Sequence, residues 1–227
     1  MEKAIVKRGR PPKTDDEQEL IRRRIIAATR DVFIQEGYHG LSVELILARC
    51  GLSRPTFYKY FRHTDEPIEI VLREVNDQLI DSMTDAVSTT QGFFAKIEVA
   101  INVWRQWGNE LGPLLKPLFS ELHDVHSPAS KHRARTINAL AERIMEAVEQ
   151  EGKPRPARML VDALINGVEF LGYRFQLETP RDEASWRQTR SAMLRMTLGL
   201  LGSESEWQHA IPLANLLGIQ LNPAETS

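Results

Sequence analysis

Residues 54–61 (RPTFYKYF) concentrate the side chains of this chain that are best suited to contact nucleic acid. In a helix, Phe57 and Phe61 stand four positions apart and face the core together. The residues that then face away from them, or flank that outer face, are Pro55, Thr56, Tyr58, Lys59 and Tyr60. Small, polar, aromatic and basic side chains of this kind can enter a major groove and also reach phosphates. Packing against a core is the alternative role for the two tyrosines.

The N-terminal run KRGRPPK, residues 7–13, indicates a second kind of DNA contact. Its centre, Arg8-Gly9-Arg10-Pro11, is similar to the AT-hook motif of minor-groove binders. Glycine lets the backbone approach the groove floor, and proline fixes an extended path. The two arginine side chains then lie along a narrow, strongly negative groove. The alternative is a solvated basic tail that adds only nonspecific affinity.

The charge of the chain is unevenly distributed. The formal net charge of −2 is made up of +5 in residues 1–63, with 13 basic and 8 acidic residues, and −7 in the rest, with 16 basic and 23 acidic residues. This asymmetry favours a basic module joined to an acidic one, although an imbalance of this size also arises by chance.

The composition sets further limits on fold and function. With 227 residues, 42% hydrophobic and 26% charged, the chain resembles a soluble globular protein of one or two domains. Its single cysteine, Cys50, excludes an intrachain disulfide, is expected in a core, and favours a reducing, cytoplasmic location. We expect no membrane span, no cofactor and no enzymatic activity, because the sequence lacks a long apolar run, a nucleotide-binding loop and a nucleophile motif. His123 and His126 could share a helix face, but Ser127-Pro128 ends that helix, so no metal site is expected.

Helical periodicity extends along almost the whole sequence, and strand signals are nearly missing. The predicted helices cover residues 17–36, 43–50, 54–61, a long segment that starts at Thr64, and then roughly 91–110, 112–123, 129–151, 157–177 and 183–201. Ser42, Ser53 and Thr64 are predicted N-caps, and Gly37 is a predicted C-cap. Gly51 is expected to supply the positive φ of a tight turn between two short helices, which is the pattern of a helix-turn-helix.

Residues 25–61 resemble the TetR-type transcriptional regulators. The matching positions are Phe33, Gly37, Ser42, Ile46, Cys50-Gly51-Leu52-Ser53, Thr56, Phe57, Tyr58, Tyr60 and Phe61. The resemblance implies an all-α fold, in which a three-helix N-terminal helix-turn-helix domain precedes a larger helical domain for ligand binding and dimerisation. The implied division is an arm at 1–15, a DNA-binding domain at 16–63, an effector and dimerisation domain at 64–202, and a tail at 203–227 that either forms a short helix or stays loose.

The resemblance also implies which residues touch DNA. Ser42 would bind phosphate, and Arg54 would be the bidentate contact to guanine. The family often has a lysine at the start of the fourth helix, where this chain has Thr64, so His63 or Arg62 is expected to replace that charge. The full expected set is Arg8, Arg10, Ser42, Arg54, Pro55, Thr56, Tyr58, Lys59, Tyr60, His63 and Thr64.

For the larger part, the resemblance implies a homodimer formed by the last two helices and a cavity lined by the middle ones. The expected dimer contacts are Val161, Leu164, Val168, Met193, Met196 and Leu200, with burial inside the monomer as the alternative. The expected cavity residues are Trp104, Trp107, Phe119, Phe170 and Tyr173, with His123 or Arg105 as polar anchors, and plain core packing as the alternative.

The function implied is a dimeric, sequence-specific repressor that a small, largely apolar effector releases from a palindromic operator on double-stranded DNA. Effector binding would shift the helix that begins at Thr64 and so change the separation of the two recognition helices. Two alternatives are an activator and a DNA-binding regulator without a small-molecule effector.

Overall fold

The computed structural model of the chain describes residues 14–177 and 181–203, with Ser205, Glu206, Gln208, Ile211 and Pro212 beyond them. Regular structure in this part of the chain is helical, which confirms the all-α prediction. The helices are α1 (Asp15–Glu36), α2 (Val43–Cys50), α3 (Arg54–Tyr60), α4 (Asp65–Ser88), α5 (Phe93–Leu111), a 3₁₀ turn (Gly112–Leu114), α6 (Leu115–Ser120), α7 (Pro128–Gln150), α8 (Arg158–Leu177) and α9 (Glu183–Leu201). Arg8 and Arg10 lie outside the described residues, as does most of the 203–227 tail.

The start of α1 lies two residues earlier than predicted. Thr14 accepts a hydrogen bond from the Glu17 N–H, and the Glu17 carboxylate accepts one from the Thr14 N–H, so the two form a capping box. Thr14 and Asp15 therefore belong to the first helix rather than to the N-terminal arm that the sequence predicted.

The predicted N-caps have mixed outcomes. Ser42 caps α2, since its hydroxyl accepts from the Leu45 N–H at 3.3 Å. Ser53 and Thr64 occupy the N-cap positions of α3 and α4 as predicted, but neither side chain makes the expected capping bond. The Ser53 hydroxyl is paired with that of Thr56 at 2.8 Å instead, and the backbone of Thr64 is already helical, with φ −65° and ψ −23°.

The first three helices enclose a small core of their own. Ile25, Ile46 and Phe57 are fully buried there, and Cys50 is 3% exposed, so its predicted core position is confirmed. Gly51 adopts the left-handed conformation with φ 61° and turns the chain between α2 and α3, as the helix-turn-helix pattern requires.

The remaining helices form a larger body around α4, which packs against α5 on one side and α7 on the other. Its core includes α4, α5 and α6 side chains and also Phe33 from α1. The helices α8 and α9 pack on each other and close the far side against α5 and α7. No helix among the described residues is long and apolar enough to cross a membrane.

Candidate nucleic-acid interface and ligand cavity

The exposed face of α3 presents the side chains that the sequence assigned to DNA. Arg54, Pro55, Tyr58 and Lys59 are exposed, and Thr56 is half-buried. They are held outward because Phe57 is fully buried and Phe61 is 4% exposed, which anchors the opposite side of the helix. Ser42 stands at the N-terminus of α2, where free backbone N–H groups favour an anion. The geometry is that of a recognition helix, supported by a second helix end suited to phosphate.

Arg54 is already paired within the protein. Its guanidinium lies 2.7 Å from a carboxylate oxygen of Glu44 on α2, and both side chains are about three-fifths exposed. A hydrogen bond with Tyr58 and the negative charge of Glu44 both raise the pKa of Arg54. Sequence reasoning missed Glu44, because only the crossing of α2 over α3 brings the two residues together.

The residues at the end of α3 fit DNA contact less well than predicted. Tyr60 is half-buried against the three-helix core, and its hydroxyl is buried without a hydrogen-bond partner among the described residues. That position agrees with the packing alternative. His63 lies 3.8 Å from Asp65 and 4.0 Å from Glu66, so carboxylates offset any positive charge that it carries. Thr64 is half-buried beside them.

A buried carboxylate joins the helix-turn-helix to the body. Glu121, 8% exposed, follows α6. One of its oxygens accepts from the Tyr38 N–H in the α1–α2 turn at 2.6 Å, and the other accepts from the Ser127 hydroxyl at 2.6 Å. Ser127 in turn caps α7. A Cβ on Gly37, whose φ is 70°, would stand 2.9 Å from the same carboxylate, so the turn approaches this group closely.

Two further contacts strengthen the same junction. The Tyr38 hydroxyl donates to Asp65 on α4 at 3.0 Å, and burial together with this bond raises the pKa of Tyr38, which keeps it a donor. His39 lies 2.5 Å from Asp124, and its hydrogen bond holds the pKa of Asp124 below the usual value. No spacing rule predicts these contacts. The available sequence signal is an acid placed between apolar positions in LFSEL, residues 118–122.

A cavity of about 300 Å³ lies inside the larger body, between α4, α5, α7 and α8. This volume is at the small end of the range for ligand sites, roughly 300–1,000 Å³. Most of the wall is apolar or aromatic, and the ends of α6 and α9 complete it. Three of the predicted cavity residues, Trp104, Trp107 and Tyr173, line this space.

The other predicted cavity residues lie elsewhere. Phe119 packs behind the wall, with its ring 4.6 Å from that of Tyr173. The prediction for Phe170 is wrong, because its side chain is 56% exposed on the outer face of α8. The prediction for His123 is wrong as well, since it is exposed after α6. Arg105 pairs with Glu183 and stacks 4.4 Å over Trp186, outside the cavity. Periodicity showed which residues are apolar but not which helix face each one occupies.

Charged and polar groups in the wall were not predicted from the sequence. The guanidinium of Arg133 on α7 donates twice to the carboxylate of Glu169 on α8 and once to Asn166. On the α4 side, the Thr136 hydroxyl donates to Asn76 at 2.7 Å. Helical spacing alone does not indicate such pairs, because each one joins two helices far apart in sequence.

The outer face of α8 and α9 differs from the expected dimer surface. Val161, Leu164 and Met193 are buried within the protomer, so their prediction as dimer contacts is wrong and the alternative of internal burial holds. Val168 is half-buried and lines the cavity; Met196 and Leu200 are half-buried on α9. The apolar side chains that remain outside on α8 are Met159 (81% exposed), Leu160 (41%), Phe170 (56%) and Leu177 (37%).

Comparison with known proteins agrees with this geometry. Residues 25–66, from α1 through the start of α4, match the model of bacterial regulatory proteins of the tetR family. The chain is 28% identical over 83 residues to the HTH-type transcriptional activator FasR of Mycolicibacterium smegmatis, a match that spans 37% of this chain and 38% of FasR. It is 19% identical over 186 residues to the HTH-type transcriptional regulator UidR of Escherichia coli, which spans 78% of this chain and 93% of UidR.

The fold as a whole also has solved counterparts. A tetR-family transcriptional regulator from Streptomyces coelicolor superimposes with a TM-score of 0.64 at 16% identity, covering 91% of this chain and 87% of that one. The recognition helix, the turn at Gly51 and the helical body therefore occur together in a known fold. Residues 25–66 thus match the tetR family model, as the resemblance predicted, and the chain shares its overall fold with solved tetR-family structures.

Proposed function

We propose that the protein is a homodimeric repressor that binds a palindromic operator through α3 and is released by a small, largely apolar effector. The observation that carries this proposal is an exposed recognition helix tied, through a buried carboxylate, to a body that contains a ligand-sized apolar cavity. An apolar cavity of this size favours a regulator with a small-molecule effector over the effector-free alternative.

Dimerisation is supported by the apolar stripe on α8. Met159, Leu160, Phe170 and Leu177 recur at helical spacing on one exposed face, where Ala163 is also exposed. Large exposed apolar side chains grouped on one helix face favour a protein interface. We assign the dimer contact to this stripe in place of the buried residues expected from the sequence. Phe170→Asp should give a monomer in sedimentation, and retention of the dimer by this variant would contradict the assignment.

Operator binding is supported by the exposed α3 face and is tested on the DNA upstream of the chain's own gene. Arg54→Ala should lose most of the specific mobility shift, because a bidentate contact to a base is worth about 1–3 kcal/mol. Arg135→Ala is the matched control: this arginine is also exposed and paired with a carboxylate, that of Asp77, but it lies on α7. Equal binding by the two variants would rule out α3 as the recognition helix.

The route from cavity to DNA is supported by residues that line the cavity next to Glu121 and Ser127. Leu118 and Leu122 line the cavity on either side of Glu121, and Ala129 lines it two residues after Ser127. A ligand that moves the α6–α7 segment therefore moves the carboxylate that holds the α1–α2 turn. Displacement of that turn would change the spacing of the two recognition helices on the operator.

Activation is a second candidate function, because FasR is described as an activator. The DNA-binding geometry is the same for both, so the structure does not favour either by itself. A reporter fused to the upstream DNA separates them: deletion of the gene should raise expression for a repressor and lower it for an activator. Minor-groove insertion of Arg8 and Arg10 stays a prediction: Arg8→Ala and Arg10→Ala should weaken binding more on DNA with A·T-rich flanks than on G·C-rich flanks, whereas loss of a nonspecific basic tail would lower both equally.

A further inference from the structure

The cavity wall contains cationic side chains, and each of them has a carboxylate partner. Lys96 lies 2.6 Å from Glu151, and Arg143 lies 3.0 Å from Glu146. Arg133 makes the two hydrogen bonds to Glu169 described above. The two acids that line the cavity, Glu146 and Glu169, are the partners of Arg143 and Arg133 in these pairs. Each cation of the described lining is therefore neutralised by a carboxylate, and the partner of Lys96, Glu151, lies just outside the lining.

The pair between Arg133 and Glu169 is the one most sheltered by the cavity. The two side chains are 16% and 18% exposed, and the distance from Nε of Arg133 to a carboxylate oxygen is 2.9 Å. A carboxylate ligand that took over the Nε and Nη2 donors would displace Glu169, which would then be left charged and unpaired in a poorly solvated place; one that approached Nη1 would stand beside the negative charge of Glu169. Loss of one partner of such a pair is strongly unfavourable. An ammonium ligand that paired with Glu169 would in the same way leave the charge of Arg133 without its partner.

Several uncharged polar groups of the wall make hydrogen bonds within the protein as well. The Thr136 hydroxyl donates to Asn76, and the Asn76 amide donates to the Leu72 carbonyl at 2.7 Å. The Thr84 and Thr197 hydroxyls donate to carbonyls of their own helices. Burial raises the pKa of Tyr173, so this cavity residue remains a neutral phenol. Because these threonines and Asn76 are paired internally, most of the surface left to a ligand is hydrocarbon and aromatic ring.

We infer that the effector is an uncharged, largely apolar molecule, and that neither a fatty carboxylate nor an alkyl amine is accepted. The inference rests on the proposed function, in that the cavity is the effector site. It is specific to this chain, because it follows from the pairing of Lys96, Arg133 and Arg143 with three carboxylates.

The test compares three probes that share one chain length and differ in charge: decanol, decanoate and decylamine. Each is added below its micelle concentration to the full-length protein, and the melting temperature is followed. A ligand that binds only the folded state raises that temperature, and at a fixed concentration the rise grows with the logarithm of its affinity. Decanol should stabilise the protein. The apparent affinity for decanoate and for decylamine should be at least about tenfold lower.

A charge variant makes the test sharper. In Glu169→Gln, Arg133 loses its carboxylate while the side-chain volume stays the same, so decanoate should gain about tenfold or more in apparent affinity. Glu98→Gln is the matched control, since Glu98 pairs with Arg190 at 13% and 17% exposure but neither residue lines the cavity. The double variant Arg133→Gln with Glu169→Gln should lose the gain. Should Glu169→Gln fail to fold, Arg133→Gln tests the same logic with decylamine as the probe that gains.

The outcomes distinguish this inference from the proposed function. Equal stabilisation of the natural protein by decanol and decanoate would overturn the charge inference and leave the effector cavity standing. No stabilisation by decanol would overturn both. A decanoate gain that persists in the double variant, or that also occurs in Glu98→Gln, would show that Arg133 is not the cation responsible and would overturn the argument from pairing.

Discussion

Replacement of Glu121 by alanine should loosen the joint between the helix-turn-helix and the body. The change removes the acceptor of two hydrogen bonds of 2.6 Å, one from the Tyr38 N–H and one from the Ser127 hydroxyl. Bonds to a charged acceptor are worth about 1.5–3 kcal/mol each. Part of this loss is offset, because the variant no longer buries a charged carboxylate that is only 8% exposed. We expect a net loss of about 2–4 kcal/mol, because two donors are left without a partner.

Thermal unfolding of the full-length chain measures this loss. For a protein of this size, about 2–4 °C of melting temperature corresponds to each kcal/mol, so Glu121→Ala should melt about 4–16 °C lower. Glu121→Gln should lose about 1 kcal/mol or less, because the amide oxygen can still accept from Tyr38 and the amide nitrogen can donate to the Ser127 oxygen. Glu74→Ala on the exposed face of α4 is the control and should stay within about 0.5 kcal/mol of the natural protein.

The same variant also reports on coupling. If Glu121 transmits cavity occupancy, decanol should still raise the melting temperature of Glu121→Ala but should no longer release DNA from it. Melting temperatures of Glu121→Ala and Glu121→Gln that both equal that of the natural protein would refute the energetic reasoning. Full release of DNA by decanol from Glu121→Ala would refute the coupling role.

Other variants test the remaining contacts. Glu44→Gln frees Arg54 from its carboxylate and removes a negative charge near the DNA, so the affinity for upstream DNA should rise by up to about fivefold in an anisotropy titration; weaker binding would count against the pairing. A methyl group at Gly172 would overlap the ring of Trp104, so Gly172→Ala should cost about 1–3 kcal/mol in urea unfolding and weaken decanol binding; an unchanged urea midpoint would contradict the tight packing. The pKa of Asp124 is lower in the folded protein than its ordinary value of 3.8, so the carboxylate stabilises the folded state at any pH above 3.8. This stabilisation is lost as the pH falls through the lower pKa of the folded state. Asp124→Asn should therefore be less stable than the natural protein at about pH 6 and equal to it well below both values; a constant difference would show that the carboxylate charge is not the cause.

The helix-turn-helix region could be predicted from the sequence because its constraints are local. Gly51 must turn two short helices, Phe57 must be buried, and Ser42 must cap, and each of these conditions acts within a few residues. The exceptions are short-range alternatives: the Ser53 hydroxyl found Thr56 as its partner instead of a backbone N–H.

The larger body was harder to predict, because the cavity lining depends on which face each helix turns toward the cavity. Leu164 and Phe170 are both apolar residues of α8, yet one is buried and the other is half exposed, and a helix that is apolar on several faces does not reveal which is which. Pairs such as Arg133 with Glu169 depend in addition on the approach of two helices that the sequence does not order in space.

The first helix belongs to two cores at once. Ile25 and Val32 complete the core of the helix-turn-helix, while Phe33, next in sequence, is fully buried among the residues of the larger body. Cleavage near residue 63 would therefore remove the residues that bury Phe33 and expose apolar surface on both fragments. In energetic terms the two regions form one unit. A chimaera that joins this helix-turn-helix to another helical body must therefore also carry over the residues that bury Phe33.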